Sequence, residues 1–208
     1  MNETCAIVGN GPTAAGKGCW IDACEFVVRM KAYWSHGAED AGDKVNALAW
    51  YGVDDGWENP PEFPSDMEFW ITQEPRLFHG ECEARPGSER LEKIVKVADF
   101  RVIRWMKTDL FCESDAYIGR SPTTGFTAIN MAIRILQSRE IHLFGFDATT
   151  RDGPNSDDAR RRIPDKMYVE YHDMEAEKRK TAELFDGKWL GNPCETRLVW
   201  HDMPEGIR

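Results

Sequence analysis

Thr4-Cys5-Ala6-Ile7-Val8-Gly9-Asn10-Gly11-Pro12-Thr13-Ala14-Ala15-Gly16-Lys17-Gly18 is the stretch from which the fold is read. Thr4–Val8 is a short apolar run that stops at a glycine. Its length suits a buried strand rather than a helix. Glycines directly after such a strand let backbone amides come close to an anion. Working outward, Glu25–Met30, Val45–Tyr51, Met67–Thr72, Phe100–Trp105, Ile141–Phe146 and Arg197–Trp200 read as further strands. Ser88–Ala98 has helical spacing, with Leu91, Ile94, Val95 and Ala98 on one face. Thr124–Leu136 has it too, through Ile129, Ala132, Ile133 and Leu136, and Tyr171–Phe185 reads as a third helix. Alternating strands and helices give an α/β class: a Rossmann-like, mostly parallel sheet with helices on both faces. Such sheets bind ligands outside the carboxyl ends of their strands.

The chain has 208 residues, read as a single domain over 1–208 with an acidic, loop-rich insertion at about 52–90. Net charge is −10, and residues 36–90 hold 13 Asp and Glu against 4 Lys and Arg, so the acidity belongs to one block. This charge argues against a protein that coats nucleic acid or an anionic membrane. No apolar run is long enough for a spanning helix, and the N-terminus lacks the basic flank and apolar core of a signal peptide. The expectation is a cytoplasmic protein with no membrane partner. The six cysteines form no CxxC or zinc spacing, so free thiols are expected.

Four places are candidates for chemistry. Gly11-x4-Gly16-Lys17 matches a phosphate loop, except that Gly18 stands where Ser or Thr holds magnesium and Pro12 removes a donor. Gly9-x-Gly11 lacks the third glycine of a dinucleotide fingerprint, with Ala14 in its place. A simple tight turn also accounts for the glycines. Asn10 is more informative, because its amide both donates and accepts at a strand tip. Ser121-Pro122-Thr123-Thr124-Gly125 precedes a helix and fits either an ordinary N-cap or an anion site. His172 and Glu177 stand five apart; on a helix they lie about 140° apart, which excludes a direct dyad. His172 remains a reasonable general base, or a surface histidine. Arg160-Arg161-Arg162 with Lys166 fits a solvated loop or a mobile lid.

In order and spacing these segments resemble the sialyltransferase family. Cys5-Ala-Ile-Val-Gly-Asn10, Ile21-Asp22, Phe26-Val-Val-Arg29-Met30 and Gly37-Ala-Glu-Asp-Ala-Gly42-Asp-Lys44 resemble its large motif. Pro122-Thr-Thr-Gly125 and Ile141-His-Leu-Phe-Gly145-Phe146 resemble its small motif; His172-x4-Glu177, with Leu184 and Gly187, resembles its very small motif. The matched segments cover about half of the chain. The Gly11-Pro12-Thr13 variant is closer to bacterial members, and Tyr168 and Tyr171 are candidates for the third, aromatic motif. Two departures stand out. Lys31 replaces the usual Asn after Arg-Met, and Ser138 stands where animal members carry the partner of the Cys5 disulfide.

The resemblance implies a glycosyltransferase that uses a CMP-activated sugar as donor substrate, with no cofactor and no metal. It implies an inverting displacement onto an acceptor hydroxyl. Asn10, Gly11 and Lys31 would contact the donor, Thr123, Thr124 and Gly125 its phosphate and carboxylate, and Gly145 and Phe146 the nucleotide. His172 would be the general base. The implied partners are the nucleotide-sugar donor and a glycan or small-molecule acceptor, or a modified nucleic-acid base in a viral host. A bacterial or viral origin fits the short chain. The rival readings are a P-loop-like nucleotide hydrolase built on Gly11–Lys17 and a non-catalytic nucleotide-sugar binder.

Overall fold

A computed structural model describes residues 3–30, 33, 40–50, 62–72, 102–105, 108–119, 122–146, 174–185 and 196–201. Seven strands form one sheet: β1 (Thr4–Val8), β2 (Phe26–Met30), β3 (Ala47–Trp50), β4 (Glu68–Ile71), β5 (Val102–Trp105), β6 (Glu140–Phe144) and β7 (Arg197–Trp200). The order across the sheet is β5-β4-β3-β2-β1-β6-β7, and every neighbouring pair is parallel. The α/β reading of the sequence therefore holds. β1 and β7 keep the expected bounds, β6 starts one residue earlier at Glu140, and the other strand ends move inward by one or two residues. Glu68–Ile71 falls inside the acidic 52–90 block, so that part of the block is a sheet strand rather than an insertion.

Among the described residues four α-helices accompany the sheet: α1 (Gly18–Ala23), α2 (Thr108–Ile118), α3 (Thr124–Ile135) and α4 (Met174–Phe185). Along β1 the side chains alternate between faces. Cys5 and Ile7 pack with Phe126, Ile129 and Ile133 of α3, while Ala6 and Val8 pack with Ile21 and Cys24 on the α1 side. The sheet is thus covered on both faces, with α2, α3 and α4 packed together on one of them. Each large aliphatic side chain buried there contributes about 1.5–3 kcal/mol.

Two helices were not expected. α1 is a six-residue piece without a side-chain cap, pinned by the Gly18 N–H donating to the Asp40 carbonyl at 2.8 Å. α2 hides its period because a polar residue, Ser114, occupies a fully buried position; Asn130 of α3 donates to it at 2.8 Å. The expected helix at Ser88–Ala98 lies outside the described residues, as do the first three residues of the expected Tyr171–Phe185 helix.

The large-motif residues knit one corner. Arg29 is buried and donates to the carbonyls of Lys44, Ala41 and Gly42 at 2.8–2.9 Å. Its guanidinium also stacks over Tyr33 at 5.1 Å. Asp22 accepts from the N–H groups of Asp43 and Lys44 at 3.0 Å. Burial lowers the proton affinity of Arg29, and Tyr33, Asp22 and Asp43 oppose that. A buried cation with three carbonyl acceptors fixes the 40–44 turn against β2; removing it would leave those acceptors unpaired.

Candidate active site

β1 lies between β2 on one side and β6 on the other, so the connections leave in opposite directions at the β1–β6 seam. This is the switch point where a parallel sheet opens a crevice at its carboxyl edge. Asn10 and Gly11 follow β1 there, and Gly145 and Phe146 follow β6.

The seam is tight. Gly9 donates to the Phe144 carbonyl at 2.8 Å, and Gly11 donates to the Gly145 carbonyl at 3.1 Å. Gly145 has φ of 67°, and a Cβ on it would lie 2.7 Å from the Gly9 carbonyl oxygen. Only glycine meets both conditions. Gly11 therefore shapes the loop, and its N–H is committed to protein rather than offered to a donor. Asn10 reaches across to β2, donating through Nδ2 to the Met30 carbonyl at 3.4 Å.

The N-terminus of α3 closes the crevice. Thr123 is its N-cap, with Oγ1 accepting from the Phe126 N–H at 3.3 Å. A Cβ on Gly125 would come within 3.0 Å of the Phe146 ring and 3.6 Å of the Met30 methyl. The helix start thus sits directly against both strand tips. Among the described residues nothing accepts from the N–H groups of Thr124 and Gly125. Two amides with no acceptor among the described residues, and the positive end of the helix dipole, make a position for an anion.

Thr123 is otherwise engaged. Its N–H donates to Glu177 Oε2 at 2.9 Å, and its hydroxyl donates to Glu177 Oε1. Glu177 lies on α4 and is only 8% exposed. Burial pushes its acid up to about 7, against the two hydrogen bonds from Thr123, which act in the opposite sense. Thr123 is therefore a spacer between α4 and α3, not an open donor, which differs from the expectation for it. Sequence reasoning named Glu177 as a partner that His172 does not face and as part of the very small motif, with no role of its own. The usable signal was position: Ala176, Glu177 and Thr181 share the buried side of α4. A glutamate on such a face needs a specific donor.

Seven of the expected site residues, Asn10, Gly11, Thr123, Thr124, Gly125, Gly145 and Phe146, thus meet at one crevice. Lys31 and His172 lie outside the described residues, as does the Arg160–Lys166 cluster. The phosphate-loop reading of Gly11–Lys17 fails on hydrogen bonding. The N–H groups of Gly11, Ala14, Lys17 and Gly18 all donate to backbone carbonyls. The Lys17 ammonium rests 4.9 Å from the centre of the Trp20 ring. A phosphate cradle needs those amides pointing at the ligand. Among the described residues no group of three or more His, Cys, Asp or Glu side chains is placed to hold a metal ion. No described helix is long and apolar enough to cross a membrane. Cys5, Cys19, Cys24 and Cys112 are free thiols, and Cys82 and Cys194 lie outside the described residues.

No protein-family model and no curated protein sequence matches the chain. Solved structures do match in fold. A mammalian sialyltransferase in complex with Gal-β-1-3GalNAc-ortho-nitrophenol aligns at a TM-score of 0.60 and 17% identity, over 98% of this chain and 70% of that one. The sialyltransferase CstII from Campylobacter jejuni, in complex with the substrate analogue CMP-3FNeuAc, aligns at 0.53 and 14%, over 96% and 80%. CST-II in complex with a trisaccharide acceptor and CMP aligns at 0.55 and 15%, over 95% and 80%. At these identities the finding is one of architecture: this chain has the fold of the sialyltransferases.

Proposed function

We propose that this protein is a sialyltransferase-like glycosyltransferase that moves a sugar from a CMP-activated donor to an acceptor hydroxyl. The observation that carries the reading is the crevice at the β1–β6 seam, where Asn10, Gly145, Phe146 and the start of α3 at Thr124 and Gly125 converge. It lies in a fold similar to structures solved with CMP and with acceptors.

In this reading the N–H groups of Thr124 and Gly125 hold the donor phosphate, and Asn10 and Lys31 contact the donor near it. Phe146 packs by the nucleotide. His172, just before α4, takes the proton from the acceptor hydroxyl as its oxygen attacks the anomeric carbon. The bond to the phosphate oxygen breaks on the opposite side, and configuration inverts. Charge builds up on the leaving phosphate, where preorganised amides stabilise it without reorganising. No metal enters this scheme. The acceptor is a glycan or another hydroxyl-bearing molecule, including a modified nucleic-acid base.

Calorimetry with CMP in EDTA tests the donor, and transfer assays with a CMP-sugar test the chemistry. The expected result is CMP binding without metal, with His172→Ala cutting transfer about 10²–10⁴-fold and leaving CMP affinity nearly unchanged. A strict need for magnesium or manganese would overturn the scheme. Donor binding with no transfer to any hydroxyl acceptor would make the protein a nucleotide-sugar binder.

A further inference from the structure

Glu177 and the anion position compete for one helix end. The carboxylate already takes the Thr123 N–H and hydroxyl, the first donors at the start of α3. The next two, on Thr124 and Gly125, have no acceptor among the described residues. An anion bound there sits on amides adjacent to the one that holds Glu177. Two anions so placed repel each other, and burial leaves little water to screen them.

Several charged groups stand on the described elements around this carboxyl. Of the groups on the elements packed near it, Tyr117 on α2 and Lys180 and Glu183 on α4 are tied to one another. Glu113 and Asp115 on α2 are exposed, Arg134 lies in the last turn of α3, and Arg197 on β7 pairs with Glu140. Lys178 and Arg179 follow Glu177 on its own helix, and the causes that shift its acid are burial and the hydrogen bonds from Thr123. Among the described residues, then, the groups hydrogen-bonded to this carboxyl are the N–H and hydroxyl of Thr123, both neutral.

We infer that Glu177 is a positioning residue that takes up a proton when the donor phosphate binds, and so turns Thr123 from its partner into a ligand of the phosphate. The inference rests on the phosphate-site reading above. In the free protein the Thr123 hydroxyl donates to Glu177 Oε1. Once protonated, the Glu177 acid donates its own hydrogen to Thr123 Oγ1. The Thr123 O–H is then released to donate elsewhere, since a hydroxyl has one hydrogen and two acceptor positions. Thr123 Oγ1 lies 3.5 Å from where a Gly125 Cβ would stand, on the side of the crevice. One added proton removes the repulsion and adds a third donor to the anion.

Calorimetry of CMP binding at pH 7 in buffers of different ionisation enthalpy counts the protons taken up. Glu177→Gln, measured alongside, removes the contribution of CMP's own phosphate. With its acid at about 7, Glu177 is half protonated at that pH. Full protonation on binding predicts roughly half a proton more for the wild type than for E177Q. Cytidine, which lacks the phosphate, is expected to show no such difference. Equal proton counts for CMP in the two proteins would overturn the inference alone. Failure of CMP to bind the wild type would overturn the donor reading, and this inference with it. If E177Q does not fold, the infrared difference spectrum of the wild type decides. A carboxylic acid carbonyl band appearing with CMP supports proton uptake, and its absence refutes it.

Discussion

At the scale of single residues, Glu177 concentrates the physics of the site. Its acid is raised from the ordinary glutamate value to about 7 by burial. A raised acid binds more protons folded than unfolded between those two values, so stability falls as pH rises through that window. The contribution is fully present below about 4.5 and lost above about 7, which amounts to roughly 3 kcal/mol. Urea unfolding of wild type and E177Q at pH 4.5 and pH 8 is expected to show the wild type losing that much relative to the variant. An unchanged difference between the two proteins would contradict the burial argument. Much of the site was legible in the residues themselves. The glycines and Asn10 after an apolar run, and two threonines before a helix, have local meanings that the structure brings to one place. Glu177 was less legible because its role depends on an N-terminus 54 residues earlier in the chain. Gly11 was misread for a related reason, since only the neighbouring strand reveals that its N–H is spent on Gly145.

At the scale of elements, the strand-end loops carry more constraint than the helices. Gly145 has φ of 67° and no room for a side chain, whereas Gly16 has φ of 72° and open space around it. Both substitutions to alanine incur the left-handed penalty of about 1–2 kcal/mol. Only Gly145→Ala must also push β1 and β6 apart. Thermal unfolding is expected to show Gly145→Ala as the clearly worse variant, with CMP binding lost, and Gly16→Ala as a modest loss with binding kept. Equal effects would mean that the seam is pliant. The strands were readable because buried parallel strands are plain apolar runs. α2 was not, since its inward face spends a position on the Ser114–Asn130 hydrogen bond. α1 was not because six residues after a glycine loop carry too little period to detect.

At the scale of the whole molecule, the order β5-β4-β3-β2-β1-β6-β7 gives β1 two neighbours of very different origin. On one side Cys5 pairs with Phe26; on the other it pairs with Ile141. The first contact closes a short loop and the second a long one, and long closures are slow. Pulse-labelled hydrogen exchange during refolding is expected to protect the amides of Phe26–Met30 and Ala47–Trp50 before those of Glu140–Phe144 and Arg197–Trp200. Simultaneous protection would show that the sheet forms in one step. The crevice is completed with the slower seam, because Asn10 follows β1 while Gly145 and Phe146 follow β6. On the ribosome, β1 through β4 are free to assemble while β6 is still being translated, and the growing sheet then shows β1 as a raw edge. Ligand is a poor template for that early half, which carries Asn10 but neither the start of α3 nor Gly145 and Phe146. Binding competence arrives late in synthesis, in the same event that covers the exposed edge.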